Sequence, residues 1–437
     1  MGRGRFHNGL GLALLALVAL APAPLGSNRP MFWMLSAALV FLLATVFFAR
    51  MAWQGRRWPI PVRAVWPLAL GAGLYLGFIA LQASGLLASV ASVAPRASLL
   101  AFIRALSYAV FFFLVLQVAA NGQRAGWMVK GLLLSVLAYA LLGFMARFGG
   151  GSALYAWLPQ SPDGNATGPF INRNSFATYL GFGLLTALAL FARRLRARTG
   201  PRLGDPMLLL YGAAGLLILV TLLATNSRMG VASTLFATVS FVALLLAKRQ
   251  GLGAARIALG GLLLGLVLAA AFYLYGGALF ERLGSVERDV DVRFALYQQV
   301  WDMIMARPWA GFGADSFALA FQPFHQLPVS PDLVWDKAHN TYLANWAELG
   351  LVFGSLPVAL LTGLAVYLGR VAFTRQRDFI LPLWGLCLIL QGGLHALTDF
   401  SLEIQADSYL FLAALAIALA DALTARSHKG GRHARSA

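Results

Sequence analysis

A chain of 437 residues in which 59% of the side chains are hydrophobic and only 11% charged cannot hide its apolar surface from water, so its solvent is lipid. The formal net charge of +18 does not mark a nucleic-acid binder, because the basic residues are scattered over separate short segments, where they act as topology signals with some attraction to anionic lipid. The single cysteine, Cys387, sits in an apolar stretch and excludes an intramolecular disulfide framework.

Runs of about 20 apolar residues, each long enough to cross ~30 Å of hydrocarbon as a helix, recur along the whole chain. They cover 9–26, 30–49, 64–88, 98–120, 127–147, 174–192, 207–225, 229–247, 256–277, 349–369, 379–397 and 405–424. These twelve spans predict an all-α integral membrane protein, a single polytopic domain over 1–437 with no soluble domain appended. The first run, with "APAP" at 21–24, superficially resembles a secretory signal peptide; eleven further spans favour a retained helix. An even number of spans puts both termini on one side, and Lys and Arg say which. If residue 1 is cytoplasmic, the inner segments hold 23 of the 34 Lys and Arg, among them the run "RRLRAR" at 193–198, whereas 13 of the 16 acids lie outside.

Between the spans, the segments on the outer side carry the unusual residues. "FGGGSALYAWLPQSPDGNATGPFINRNSF" reads as irregular chain from its glycines, prolines and asparagines. "TNSRMG" at 225–230 wedges Arg228 between two spans with almost no loop to carry it into water. Residues 278–348, between the ninth and tenth spans, form the one long connection, and a loop of that length tends to carry function. Most of it reads as helical. Residues 293–306, "RFALYQQVWDMIMA", place Phe294, Tyr297, Trp301 and Ile304 on one predicted apolar stripe, so the segment should lie on the membrane or on other helices. "RPWAGFGADSF" (307–317) and "LPVSPD" (327–332) break it. The last outer segment is "HALTDFSLEIQAD" (395–407).

Arginine on the outer side runs against the usual charge bias and is expensive near hydrocarbon. Arg29 and Arg96 begin spans and read as snorkelling residues. Arg228, Arg173 in "NRN" and Arg293 at the head of the loop helix read either as interfacial charges or as fixed cations facing a polar cavity. Together they would suit a doubly charged phosphate. His7, His428 and His433 fall in cytoplasmic tails, and His325, His339 and His395 outside. His339 stands in "DKAHNTYLANWAELG" (336–350) beside Asn340, Tyr342 and Glu348. It reads either as a capping or interface histidine or as a neutral imidazole that takes or holds the proton of a sugar hydroxyl. "DVD" (Asp289, Asp291) has a spacing that can hold a divalent metal, but in an acid-rich loop it reads as solvated surface; no metal or other cofactor is expected. "GFGADSF" lacks the strand and helix context of a dinucleotide fingerprint.

Four stretches in this order resemble the O-antigen ligase and O-antigen polymerase superfamily of bacterial inner membranes: "GPFINRNSFATYL" (168–180), "TNSRMG" (225–230), "VRFALYQQVWDMIMARPWAGFGADSF" (292–317) and "HNTYLANWAELGLVFG" (339–354). The resemblance implies a membrane-embedded glycosyltransferase of GT-C-like architecture with one large, mostly helical periplasmic loop. It implies a glycan donor linked to undecaprenyl diphosphate and an acceptor hydroxyl on a glycan or on lipid A core, at the periplasmic face. Carried over, the family's arginines are Arg228 and Arg293, with Arg173 a weaker transfer, and its loop histidine is His339. Asn172, Asn174, Asn340, Tyr342 and Glu348 would support them. Whether the chain is a ligase or a surface-polysaccharide polymerase stays open; the "NRN" stretch leans away from a protein-modifying enzyme. A polytopic transporter or lipid-linked glycan flippase is the alternative. It predicts ionisable residues near mid-span, and only Arg104, about two turns in, comes close.

Overall fold

The structure, a computed structural model, describes residues 3–55, 57–149, 157–159, 164–196, 205–250, 286–332 and 334–433. Its α-helices are α1 (Arg3–Leu20), α2 (Pro30–Trp53), α3 (Trp66–Ser84), α4 (Pro95–Ala119), α5 (Gly122–Phe148), α6 (Arg173–Leu195), α7 (Pro206–Ala224), α8 (Arg228–Gln250), α9 (Val286–Ala306), α10 (Phe317–Ala320), α11 (Thr341–Gly354), α12 (Leu356–Thr374), α13 (Ile380–His395) and α14 (Gln405–His433). No strand occurs among the described residues. Nine of these helices, α2 to α8, α12 and α14, are long and apolar enough to cross a membrane, and Gly4–Leu20 and Ile380–His395 are shorter apolar helices. The expected span at 256–277 lies outside the described residues.

Local sequence explains where the helices begin. Proline occupies the first turn of α2, α3, α4, α7 and α12, where its missing N–H costs nothing. Asn121, Asn172, Asp205 and Asn340 cap α5, α6, α7 and α11 by accepting backbone N–H groups of the first turn.

The bundle is layered by burial. In α6 and α14, 83% of the apolar window is enclosed by protein, against 22% in α3 and α7, so the first pair forms the axis and the second the lipid-facing rim. Stacked rings knit the axis to its neighbours: Phe182 of α6 on Phe411 of α14 with centroids 5.2 Å apart, and Phe111 of α4 on Tyr409 of α14 at 4.4 Å. At one end basic side chains are tied down. Arg194 pairs with Asp205 at 2.8 Å, and Arg375 with Asp421 at 2.9 Å.

At the other end, where α4, α6 and α8 begin, a cap with its own small core closes the bundle. Leu296, Val300, Met303 and Ile304 of α9 pack with Phe317, Phe321 and Ala347. The buried stripe of α9 is therefore aliphatic. Phe294 and Trp301, expected on it, are 71% and 43% exposed, because α11 takes the i, i+4, i+7 series that starts at Leu296. The two segments of the cap are joined through backbone. Phe312 N–H donates to the Ala347 carbonyl (3.0 Å), Gly313 N–H to that of Glu348 (2.9 Å) and Leu351 N–H to that of Pro308 (2.7 Å). Gly311 and Gly350 make this approach possible. Both have positive φ, and a Cβ on either would overlap backbone of the facing segment. Buried Gln82 of α3 joins cap to bundle, donating to the carbonyls of Ala310 (2.8 Å) and Glu348 (2.9 Å) and accepting from Ala314 N–H (3.2 Å).

Candidate active site

Two helix N-termini meet at the capped end. Asn172 caps α6, so Arg173 is its first residue; Arg228 is the first residue of α8, and both side chains are exposed. Asn174 joins the two motifs, accepting the Ser227 hydroxyl at 2.8 Å and donating to Asp399 Oδ1 at 3.1 Å. Asn226, in left-handed conformation, donates to Asn165 Oδ1 at 2.6 Å, which anchors the short turn before Arg228. Paired N-termini, each headed by a guanidinium, concentrate positive potential and orphan N–H groups in one place. Helix N-termini of this kind are able to hold an anion.

The turn between α13 and α14 is the hub. Arg293 of α9 donates to the Thr398 carbonyl at 3.4 Å, the Thr341 hydroxyl to that of Asp399 at 3.1 Å, and the Tyr342 hydroxyl to that of Gly393 at 2.7 Å. Thr341 N–H donates to the Ala396 carbonyl at 3.0 Å. Asp399 also accepts the Ser401 hydroxyl. His339 is thus brought against the same turn as Asn174, and Arg293 lies close enough to act on its charge.

His339 precedes its helix rather than lying on it. Asn340 caps α11, accepting from the N–H groups of Tyr342 and Leu343, and His339 takes φ +50° just before it. Its carbonyl accepts the Tyr297 hydroxyl at 2.9 Å. The imidazole stands edge-on to Trp335 and Phe400, with centroids at 5.9 and 5.2 Å, and its Nδ1 is buried without a hydrogen-bond partner. Burial, followed by the Arg293 charge, holds the His339 pKa below the ordinary histidine value, against the pull of Asp399, Asp336 and Glu403. A neutral ring is the form able to accept a proton.

Residues 213–358 match a family model described as O-antigen ligase. This match, over about a third of the chain, supports the resemblance to the O-antigen ligase and polymerase superfamily. The matched stretch holds Arg228, Arg293, His339, Asn340, Tyr342 and Glu348; Arg173 and the α13–α14 turn lie beyond it. No curated protein matches the chain.

A second polar cluster adjoins the first. Glu348, expected beside His339, turns away from it and accepts the N–H groups of Asp315 (2.9 Å) and Phe317 (3.2 Å). Burial, and then the nearby Asp315 carboxylate, push its pKa above the usual carboxylate range. Asp315 pairs with Arg104 of α4 at 3.4 Å, and Lys337 with Glu403 at 2.7 Å. Burial opposes the charge on Lys337, but Glu403 and Asp315 outweigh it and raise its pKa. Among the described residues no three His, Cys, Asp or Glu come together to hold a metal, and the side chains of Asp289 and Asp291 lie outside the described residues.

Sequence reasoning singled out the arginines and His339 as candidates but not the turn at which the structure brings their segments together. Asp399 and Thr341 carry no motif of their own; their roles arise from contacts across 225 and 58 residues of sequence. His395 is enclosed, with Nδ1 against the Thr178 hydroxyl, so it braces α13 on α6 instead of meeting substrate.

Proposed function

We propose that this protein transfers a glycan from undecaprenyl diphosphate to an acceptor hydroxyl at the periplasmic face of the bacterial inner membrane. It does so as an O-antigen ligase or a surface-polysaccharide polymerase, with twelve spans and both termini in the cytoplasm. The observation that carries this reading is the convergence on one turn, residues 395–403, of the arginine-headed starts of α6 and α8, the Arg293 side chain and the His339 ring.

Each group has a role in the chemistry. The acceptor oxygen attacks the anomeric carbon while the bond from that carbon to the diphosphate oxygen breaks. His339 takes the proton of the attacking hydroxyl. Undecaprenyl diphosphate leaves with the bonding electron pair, and Arg173, Arg228 and Arg293 stabilise the charge that develops on it. The donor brings its own leaving group, so the reaction uses no nucleotide. The glycan crosses no bilayer in this scheme, in contrast to the transporter reading. That alternative places an ionisable group near mid-span. Asp407, fully buried in α14, stands at the third residue of its helix, close to the capped end, and lends it little support.

Purified protein in liposomes with a lipid-linked repeat unit tests the proposal. A ladder of longer lipid-linked glycans would make it a polymerase. Transfer only after lipid A core is added would make it a ligase. Glycan crossing the bilayer with no new glycosidic bond would sink the proposal in favour of transport.

A further inference from the structure

Three segments meet at one buried side chain on the rim of the cap. Gln82, close to the end of α3, donates to the Ala310 carbonyl at 2.8 Å and to that of Glu348 at 2.9 Å. Leu351 N–H closes the group by donating to the Pro308 carbonyl at 2.7 Å. The α3–α4 loop lies against the same place, with Val93 N–H on the Phe312 carbonyl at 2.9 Å and the Arg307 side chain on that of Ser89 at 3.3 Å. Just beyond these contacts each segment exposes apolar side chains. Leu86 is 80% exposed, Leu87 52%, Trp309 69% and Val352 57%. The proposed glycosyl transfer uses none of them.

A connection that meets water is normally polar. The α2–α3 connection, at the opposite end, carries Arg56, Arg57 and Arg63, whereas residues 85–95, "GLLASVASVAP", hold no charge at all. Exposed apolar side chains from adjoining segments mark an interaction surface, and the neighbouring surface says which. α3 is among the helices least enclosed by protein, and Leu70 and Leu74 are exposed on its lipid-facing rim. Leu86 and Leu87 extend that apolar surface past the end of the helix. Tryptophan is favoured where acyl chains give way to headgroups, and cations flank such a boundary on its wet side. Arg96, exposed at the start of α4, and Arg307, whose guanidinium lies 5.3 Å from the centre of the Phe312 ring, stand in that relation to Trp309. No acid occurs in 84–104 or 307–314.

We propose that the cap is seated in the bilayer along this edge. Leu86, Leu87, Trp309 and Val352 enter the leaflet on the capped side at the boundary of headgroups and acyl chains, and the partner is the lipid surface itself. The segment around Asp332 and Asp336, both exposed, stands in water. Held by lipid along one edge and by Gln82 on α3, the cap carries α11 at a fixed height over the leaflet.

The test places a fluorescent NBD label on Leu86→Cys, Trp309→Cys or Asp332→Cys in the full chain, reconstituted in phosphatidylethanolamine and phosphatidylglycerol vesicles. Native Cys387 is buried and takes no label. Lipids carrying nitroxides at graded depths read each label's distance from the bilayer centre, and iodide reads its contact with water. Leu86 and Trp309 are exposed and belong to separate segments, so misfolding of one variant leaves the other to decide. Labels at both sites should lie roughly 10–15 Å from the centre, at the margin of ~30 Å of hydrocarbon, and be shielded from iodide. The label on Asp332→Cys should be quenched by iodide alone. The seating is overturned if a label at either apolar site lies beyond ~20 Å, outside the headgroups, and is open to iodide. Shielding from iodide and nitroxide lipids alike would overturn it too, by placing a second copy of the chain on this edge.

Discussion

His339 owes its proposed role to where it is held. Positive φ, a capping asparagine next to it and the Tyr297 hydroxyl on its carbonyl fix the backbone, while Trp335 and Phe400 flank the ring. His339→Ala should leave the fold intact and lower transfer by about 10²–10⁴, the usual worth of a positioned base, measured as kcat/KM in nanodiscs. Because burial and Arg293 depress the His339 pKa, activity should be level above about pH 6.5 and fall only on acidification below it. Arg293→Gln removes an opposing charge and should move that acid limb to higher pH, besides weakening catalysis. The same shift bears on stability. A histidine that binds its proton less tightly when folded contributes fully above its unfolded value, about 6.5, and that contribution is lost as pH falls through its lower folded value. Arg228→Ala should cost about 10²–10³ in kcat, as for loss of one charge-stabilising donor, and Arg228→Lys should restore part of it, since Lys keeps the charge without the fork.

At the scale of elements, the cap is held by backbone contacts that glycine permits. Gly350→Ala should destabilise by about 1–3 kcal/mol, since Gly350 has φ +71° and ψ 171° where only glycine is at ease. Asn340→Ala should cost about 1 kcal/mol through the lost cap. Thermal unfolding in detergent, followed by circular dichroism, measures both. An apolar run of about 20 residues announces a membrane-crossing helix by its length alone, and so the spans of α2 to α8 were legible. Periodicity was less informative in α9, where aliphatic and aromatic residues compete for the buried face and packing against α11 decides. The turn at 395–403 was illegible as a site. Its polar residues are ordinary ones, distinguished only by partners far away in sequence. The arginines were legible because a cation on the outer side of a membrane protein demands a reason.

At the scale of the molecule, the fold separates two tasks. The enclosed pair α6 and α14 gives a stiff axis, and the ends of α4, α6, α8 and α13 with the cap present all the candidate chemistry at one end. The proposed orientation predicts that Asp332→Cys, exposed in the cap, is labelled by an impermeant maleimide from the periplasm. Gln376→Cys, exposed at the opposite end, should react only once the cytoplasmic side is opened. Native Cys387 is buried and should stay silent. The central claim is that this end breaks a glycosyl–diphosphate bond and forms a glycosidic one. The direct measurement follows undecaprenyl diphosphate release and glycan product together in liposomes holding wild type or His339→Ala. The account predicts one diphosphate released for each new glycosidic bond, with both rates falling together in the variant; it is contradicted if wild-type protein releases no diphosphate, or if His339→Ala proceeds at the wild-type rate.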